Sequence, residues 1–270
     1  MKVSIVITTY NAEKWLRKVL YGYSVQTELD FEVVIADDGS NESTRKVIDD
    51  FLLKFKYPII HVWQPDEGFQ KCKILNKAIL KTNSDYLLFT DGDCIPRKDF
   101  VEKHLKNKEK GYFLSGGYFK LPMITSNSIS SLEIENGDCF KPKWLISNGV
   151  KKSFKLSKLI ENKWICQFLN WVTPTKKTFN GHNTSCFKVD LLAVNGFNEE
   201  MQYGGLDREV GERLFNLGIK AKQIRYSAVC IHLDHKRSYK SSESIEKNNT
   251  IRRYNRKHNV IKVNNGIYKL

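Results

Sequence analysis

The N-terminal third of the chain switches repeatedly between two hydrophobic periods, and this switching constrains the fold more than any other feature. Residues 3–8 (VSIVIT), 31–36 (FEVVIA), 59–63 (IIHVW) and 86–90 (YLLFT) are short, apolar and rich in β-branched or aromatic side chains. Runs of that length and composition predict buried strands. Between them the apolar residues respace to helical intervals. Trp15, Leu16, Val19 and Leu20 fall on one face of a helix predicted over 12–24. Further helices are predicted over 44–55, after the turn Gly39-Ser40-Asn41, and over 71–82. Such alternation implies an α/β fold, a mostly parallel sheet covered by helices on both faces. Ligands of such sheets bind beyond the carboxyl ends of the strands.

Three of those ends are polar: Thr8-Thr9-Tyr10-Asn11, Asp37-Asp38-Gly39-Ser40 and Asp91-Gly92-Asp93. Two carboxylates flanking one small residue at a strand end reach a hard divalent cation and a ribose hydroxyl together. Mg²⁺ and Mn²⁺ take few protein carboxylates and complete their shell with phosphate and water. The competing reading is an ordinary acidic turn. Asp37 or Asp38 could accept from a pyrimidine N–H or a ribose hydroxyl, or the pair could belong to a helix-entry turn capped by Ser40 or Asn41. Lys71 and Lys73 stand at a helix start, where the macrodipole disfavours cations unless an anion sits beside them.

Later in the chain, Tyr203-Gly204-Gly205-Leu206-Asp207-Arg208-Glu209 opens a helix predicted over 208–217 and stopped by Gly218. The glycines allow close backbone approach to a ligand. By itself Asp207 reads first as a helix cap, with a site carboxylate as the alternative. His232 and His235 follow a strand-like run. Strand alternation would put His232 and Asp234 on one face, opposite Leu233 and His235.

The chain has 270 residues, 41% of them hydrophobic, enough for a substantial core. The sequence divides into residues 1–120, 121–180, 181–235 and 236–270, the last a basic tail, all in one structural domain. No periodic pattern is readable in residues 121–178. Six cysteines without a CxxC pair argue against zinc and against a disulfide framework. No run is long and apolar enough to span a bilayer, and the N-terminus reads as a strand, not a leader. Lys+Arg number 44 against 30 Asp+Glu, a formal +14, so a polyanion or an anionic membrane surface is a natural neighbour. The lysines within 151–163 and the tail are the candidate contacts.

Seven stretches, in order, resemble family 2 glycosyltransferases of GT-A fold: VSIVITTYN, VVIADDGS, GFQKCKILNKAI, YLLFTDGDCIP, NGHNTSCFKVDLLAVNGFNE, YGGLDREVGERL and AVCIHLDH. The later ones are similar to a galactosyltransferase-like C-terminal module. The resemblance implies a UDP-sugar donor, a glycan or glycolipid acceptor, and a divalent cation, Mn²⁺ or Mg²⁺. It implies that Thr8, Tyr10, Asn11, Asp37, Asp38, Phe69, Lys71 and Asp91 hold the nucleotide, and that Asp93 and His232 bind the metal. Gly181, Asn183, Gly205 and Glu209 would border the donor or acceptor sugar, and Asp207 would be the catalytic base. The implied activity is inverting hexosyl transfer onto a cell-surface glycan. The cysteine pattern suits a cytoplasmic enzyme, and the basic surplus suits one peripheral at the inner membrane face. Leu206 stands where the module usually carries Glu, which leaves the sugar open. Rival readings are a nucleic-acid-binding protein, disfavoured by the acidic strand ends, and a nucleotidyltransferase or inert sugar-nucleotide binder.

Overall fold

The computed structural model describes residues 1–53, 55–236 and 240–269. In chain order, β1 (Val3–Thr9), α1 (Glu13–Ser24), β2 (Phe31–Asp37), α2 (Glu42–Leu52), β3 (Ile59–Trp63), α3 (Lys71–Lys81) and β4 (Tyr86–Asp91) form the alternating half. Then come β5 (Cys94–Pro96), α4 (Phe100–Asn107), β6 (Tyr112–Ser115), β7 (Gly117–Lys120), and the short helices α5 (Met123–Ser128), α6 (Ser131–Glu135) and α7 (Pro142–Ser147). α8 (Lys163–Val172), β8 (Thr184–Phe187), α9 (Lys188–Ala193), α10 (Leu206–Asn216), β9 (Lys220–Gln223), β10 (Val229–His232) and α11 (Ser242–Lys257) complete the chain.

Among the described residues the main sheet has seven strands in the order β3-β2-β1-β4-β8-β6-β9. β1 pairs in parallel with both β2 and β4, so the strand order reverses at β1. Period-2 alternation divides the sheet's side chains between two apolar layers. Val3, Ile5 and Ile7 pack with Leu16 and Val19 of α1 on one face. Val6 and Val34 pack with Ile74 and Ala78 of α3 and Val210 of α10 on the other. A small second sheet, β5-β10-β7, lies at the site end. β8 and β9 enter the same main sheet as β1–β4, so residues from both halves of the chain share it.

Several boundaries differ from expectation. α2 starts two residues earlier than predicted because Asn41 caps it, accepting from the Ser43 and Thr44 amides. It ends at Leu52, and Lys54 of the predicted span lies outside the described residues. The unpatterned region contains α8, whose apolar face points away from the body, which is why no core-facing period is legible there. The basic tail is a docked helix rather than a free one: in α11, Asn248 and Asn255 are buried, and Arg252 pairs with Glu212 of α10 at 2.6 Å. Residues 237–239 and 270 of that stretch lie outside the described residues.

Candidate active site

Strand register brings the three polar ends to one edge. Thr9 lies opposite Asp37, and Thr8 opposite Asp91. The Thr8 hydroxyl and the Lys71 ammonium both donate to Asp91 Oδ1, each at 2.7 Å. Lys71 is the first residue of α3, so the anion missing from that helix start is Asp91 itself. Lys73 is likewise paired, with Glu67 at 3.1 Å. Burial alone would lower the Lys71 pKa, but Asp91 and Asp207 outweigh it and hold the ammonium above its ordinary value. Burial alone would raise Asp91, but Lys71 and the Thr8 hydroxyl hold it well below the carboxylate range.

The Asp37-Asp38 turn divides its labour. Asp37 is 1% exposed, and its oxygens accept from the Ser40 amide at 2.8 Å and meet His61 Nε2 at 2.9 Å. It shapes the turn from beneath. Asp38 accepts from Gln64 Nε2 at 2.7 Å and from the Gln70 amide at 2.9 Å. Burial raises its pKa. Asn11, in left-handed backbone at φ 44°, accepts from the Asn41 amide, and its own amide donates to Ser40 Oγ. The loops after β1 and β2 are thereby locked together. Tyr10 is 47% exposed and donates to Asp66 at 2.7 Å. The Phe69 ring meets Tyr203 edge-on at 6.1 Å, linking the loop before α3 to the loop before α10.

The second sheet brings Asp93 and the late histidines together. Antiparallel pairing sets His232 opposite Cys94, and the Leu233 amide donates to the Asp93 carbonyl at 2.9 Å. Asp93 Oδ2 lies 3.7 Å from His232 Nε2 and 2.9 Å from His235 Nε2. His232 Nδ1 faces its neighbour's carbonyl at 2.8 Å. If Nδ1 carries the proton, Nε2 is free as a ligand atom. β10 stops at His232, so alternation no longer governs the next residues and His235 comes back to the same carboxylate. This corrects the expectation that the two rings face opposite ways. Asp234, expected on the His232 face, pairs instead with Lys120 at 3.3 Å.

Ligand atoms of Asp93, Cys94 and His232 lie within 4.8 Å of one another. Cys94 Sγ donates to Asp93 Oδ1 at 3.3 Å, and soft sulfur is a poor match for Mg²⁺ or Mn²⁺. The carboxylate and two imidazoles that remain fit Mn²⁺, with Mg²⁺ less favoured by the nitrogen donors. Burial would raise Asp93, but hydrogen bonding to His235 and the charge of His232 bring it below its ordinary value.

Asp207 enters from α10. The cap of that helix is Gly205, at φ 79°, and it offers no side-chain cap bond. The cap reading of Asp207 therefore fails. Gly181 explains where the carboxylate goes: a Cβ there would lie 2.7 Å from Asp207 Oδ1. A side chain at 181 would push the carboxylate aside, so glycine is what lets it lie there. Burial raises the Asp207 pKa, with Lys71 pulling the other way. Buried side-chain atoms without partners include Asp207 Oδ1, His182 Nε2, Thr9 Oγ1 and Gln64 Oε1. Native proteins rarely leave such atoms unpaired unless a ligand or ion completes them.

Two expected sugar contacts are engaged inside the protein. Glu209 is fully buried, accepts from Arg213 Nε at 2.7 Å and Nη2 at 2.8 Å, and takes Asn255 Nδ2 at 2.7 Å. Asn183, also fully buried, donates to the Gly117 carbonyl at 2.7 Å and meets His104 Nε2 at 2.9 Å. Both hold the frame of the site. His182, between Gly181 and Asn183, is a further residue of this site. Its ring meets Tyr118 edge-on at 4.6 Å, and Tyr118 in turn lies 5.9 Å from the His232 ring. Burial lowers its pKa to about 4, so it is neutral there. A lone histidine in a loop carries no period, and its flanking glycine and asparagine were the available signal.

The fold and this strand-end cluster define a GT-A enzyme of the sugar-transferring class. The model of Glycosyl transferase family 2 matches residues 4–177, and the chain belongs to that family. It is 28% identical over 232 residues to a chondroitin synthase of Escherichia coli, a match covering 80% of this chain and 32% of that protein. It is 29% identical over 252 residues to the validoxylamine A glucosyltransferase of Streptomyces hygroscopicus subsp. limoneus, covering 90% of this chain and 54% of that one. The chain thus spans about a third and about half of these relatives. Among solved structures, Staphylococcus aureus TarS 1–349 in complex with UDP-GlcNAc superposes with a TM-score of 0.61 at 17% identity, over 90% of this chain and 61% of that one. Mannosyltransferase PcManGT from Pyrobaculum calidifontis, in complex with GDP-Man and Mn²⁺, gives a TM-score of 0.59 at 17% identity, over 88% and 58%.

Proposed function

We propose that the chain transfers a hexose or N-acetylhexosamine from a UDP-sugar to a hydroxyl of a cell-surface glycan, inverting the anomeric centre and using a divalent cation. The observation that carries this reading is the convergence of three distant segments. Asp93 with His232 and His235 makes one pole, Asp91 with Lys71 lies beside it, and Asp207 stands near enough to Lys71 and Asp91 for their charges to interact. The solved neighbour with UDP-GlcNAc supports a uridine donor, and the one with GDP-Man and Mn²⁺ supports a metal-bound nucleotide sugar. The C-terminal stretches support a galactosyltransferase-like module.

The residues divide the chemistry. Asp38, with Tyr10 and Phe69 nearby, would hold the base, and Asp91 the ribose. A bound cation would neutralise charge on the departing diphosphate. Asp207 would take the proton from the acceptor hydroxyl as its oxygen bonds to the anomeric carbon, while the bond from that carbon to the diphosphate oxygen breaks. One displacement needs one base, unlike the paired carboxylates of glycoside hydrolysis. His182, neutral and unpartnered at Nε2, is suited to donate or accept a hydrogen bond near the same centre.

The test is turnover of UDP-sugars with Mn²⁺, read as UDP release. Activity with one sugar, lowered ~10²–10⁴-fold by Asp207→Asn with donor binding kept, is the expected result. Wild-type turnover in Asp207→Asn would remove Asp207 from the role of base. Donor binding without any UDP release in the wild-type chain, supplied with acceptor glycans, would favour an inert binder.

A further inference from the structure

α8 is built the wrong way round for a helix that packs on its own protein. Its inward side is Cys166 and Asn170; Cys166 is buried, and Asn170 accepts from the Tyr226 amide at 2.9 Å and donates to Ser227 Oγ at 2.9 Å. The opposite side carries Trp164, Ile165, Phe168, Trp171 and Val172, exposed at 76%, 44%, 58%, 82% and 41%. At 100° per residue these five fill roughly a third of the helix circumference. Phe154, ten residues before Trp164 in sequence, is 82% exposed as well.

The charge around this face has one sign. Residues 151–178 hold seven lysines and one acid, Glu161. Lys158 is occupied, donating to the Tyr118 carbonyl at 3.1 Å. Lys151, Lys152, Lys155, Lys163, Lys176 and Lys177 are exposed.

We propose that the outer face of α8, with its flanking lysines, docks on an anionic lipid surface. A contiguous aromatic face in water has a cost, which a monomer normally avoids. Tryptophan and phenylalanine on one side with lysines around them is the composition of a helix lying in a bilayer interface, where rings sit at headgroup depth and lysine stems reach up to phosphate. A protein partner would cover the apolar stripe without needing six unpaired cations. A soluble glycan would need a concave groove, and a helix flank is convex. The segment then runs directly into Asn180 and Gly181, beside Asp207, so docking there sets the site close to the lipid surface. The inference rests on this surface and not on the proposed donor or acceptor.

The experiment is co-sedimentation of the whole chain with vesicles of phosphatidylcholine, alone or with roughly one third phosphatidylglycerol. Binding to the anionic vesicles is expected to be roughly tenfold stronger or more, and to fall with added salt. Trp164→Ser with Trp171→Ser should remove most of it. Lys151→Glu with Lys152→Glu and Lys155→Glu should remove the preference for phosphatidylglycerol. Both variants alter exposed side chains, so circular dichroism and UDP binding should stay as in wild type. Acyl-chain-brominated lipid should quench wild-type tryptophan emission, a readout needing no variant. Three outcomes overturn the proposal: no binding to anionic vesicles, no quenching, or full binding by the tryptophan variant. A vesicle-free dimer lost in that variant would assign the face to a second copy. Salt-sensitive DNA binding lost in the lysine variant, without vesicle binding, would assign it to nucleic acid.

Discussion

Asp207 is where one residue's environment decides most. Its carboxyl is pushed above its ordinary pKa by burial, and one oxygen has no partner. A pKa higher in the folded than in the unfolded chain means that the folded state holds this proton longer. The associated stability is present below the unfolded pKa and is lost as pH rises through the folded one. At neutral pH the ionised group is therefore a net cost, as unpaired site groups often are. Asp207→Asn should raise Tm, by about 2–4 °C for each kcal/mol recovered, in the same preparation that loses turnover. For the wild type, the acid limb of kcat/KM should lie above the ordinary carboxylate pKa. A limb at or below it would mean that another group is the base. The histidines make a second residue-scale case. His232→Ala and His235→Ala should each raise the Mn²⁺ concentration needed for half-maximal nucleotide binding, because both rings face Asp93. A variant with unchanged Mn²⁺ dependence would exclude that ring from the shell.

At the scale of elements, a buried ion pair within α10, Glu209 with Arg213, ties that helix to Asn255 of α11 and to the turn after α9. Arg213 is fully buried; besides Glu209 it donates to the Val194 and Gly196 carbonyls. Removing one partner of such a pair leaves the other charge buried and unanswered. Glu209→Ala should cost about 3–5 kcal/mol, measured by urea unfolding. KM for the donor should stay near wild type in the folded fraction. A large change in KM with wild-type stability would return Glu209 to the sugar. Elements also mark how far the sequence could be read. β1, β2, β3 and β4 are where their apolar runs place them, and the ends of β1, β2 and β4 carry the polar clusters, because period and strand-end chemistry are local properties. α8 escaped because its pattern answers to a surface outside the chain's own core. The cap reading of Asp207 and the sugar reading of Glu209 could not be separated by spacing alone. What separates them is the Gly181 approach in one case and Arg213 in the other.

At the scale of the whole molecule, the surplus of positive charge is spent unevenly. Much of α11 packs on α10, whereas the lysines of 151–178 remain outside. All six cysteines are free and buried. No helix among the described residues is long and apolar enough to cross a membrane. Because the site gathers loops from both halves of the chain, ligand binding should stabilise the fold globally. UDP with Mn²⁺ at a hundred times its Kd should add about 2.7 kcal/mol, seen as a thermal shift. Chelation, or His232→Ala combined with His235→Ala, should shrink that shift. An equal shift without metal would separate nucleotide binding from the cation.

By itself the sequence determined the α/β alternation, the parallel strands and the three acidic or polar strand ends, because each depends on neighbours a few residues apart. Only the tertiary structure decided that His235 joins His232 at Asp93, that Gly181 receives Asp207, that Glu209 and Asn183 are buried and paired inside the protein, and that the α8 aromatics face outward. Those outcomes depend on strand register and helix docking between segments far apart in the chain. A side chain's partner across such a distance is chosen by packing, which no local pattern encodes.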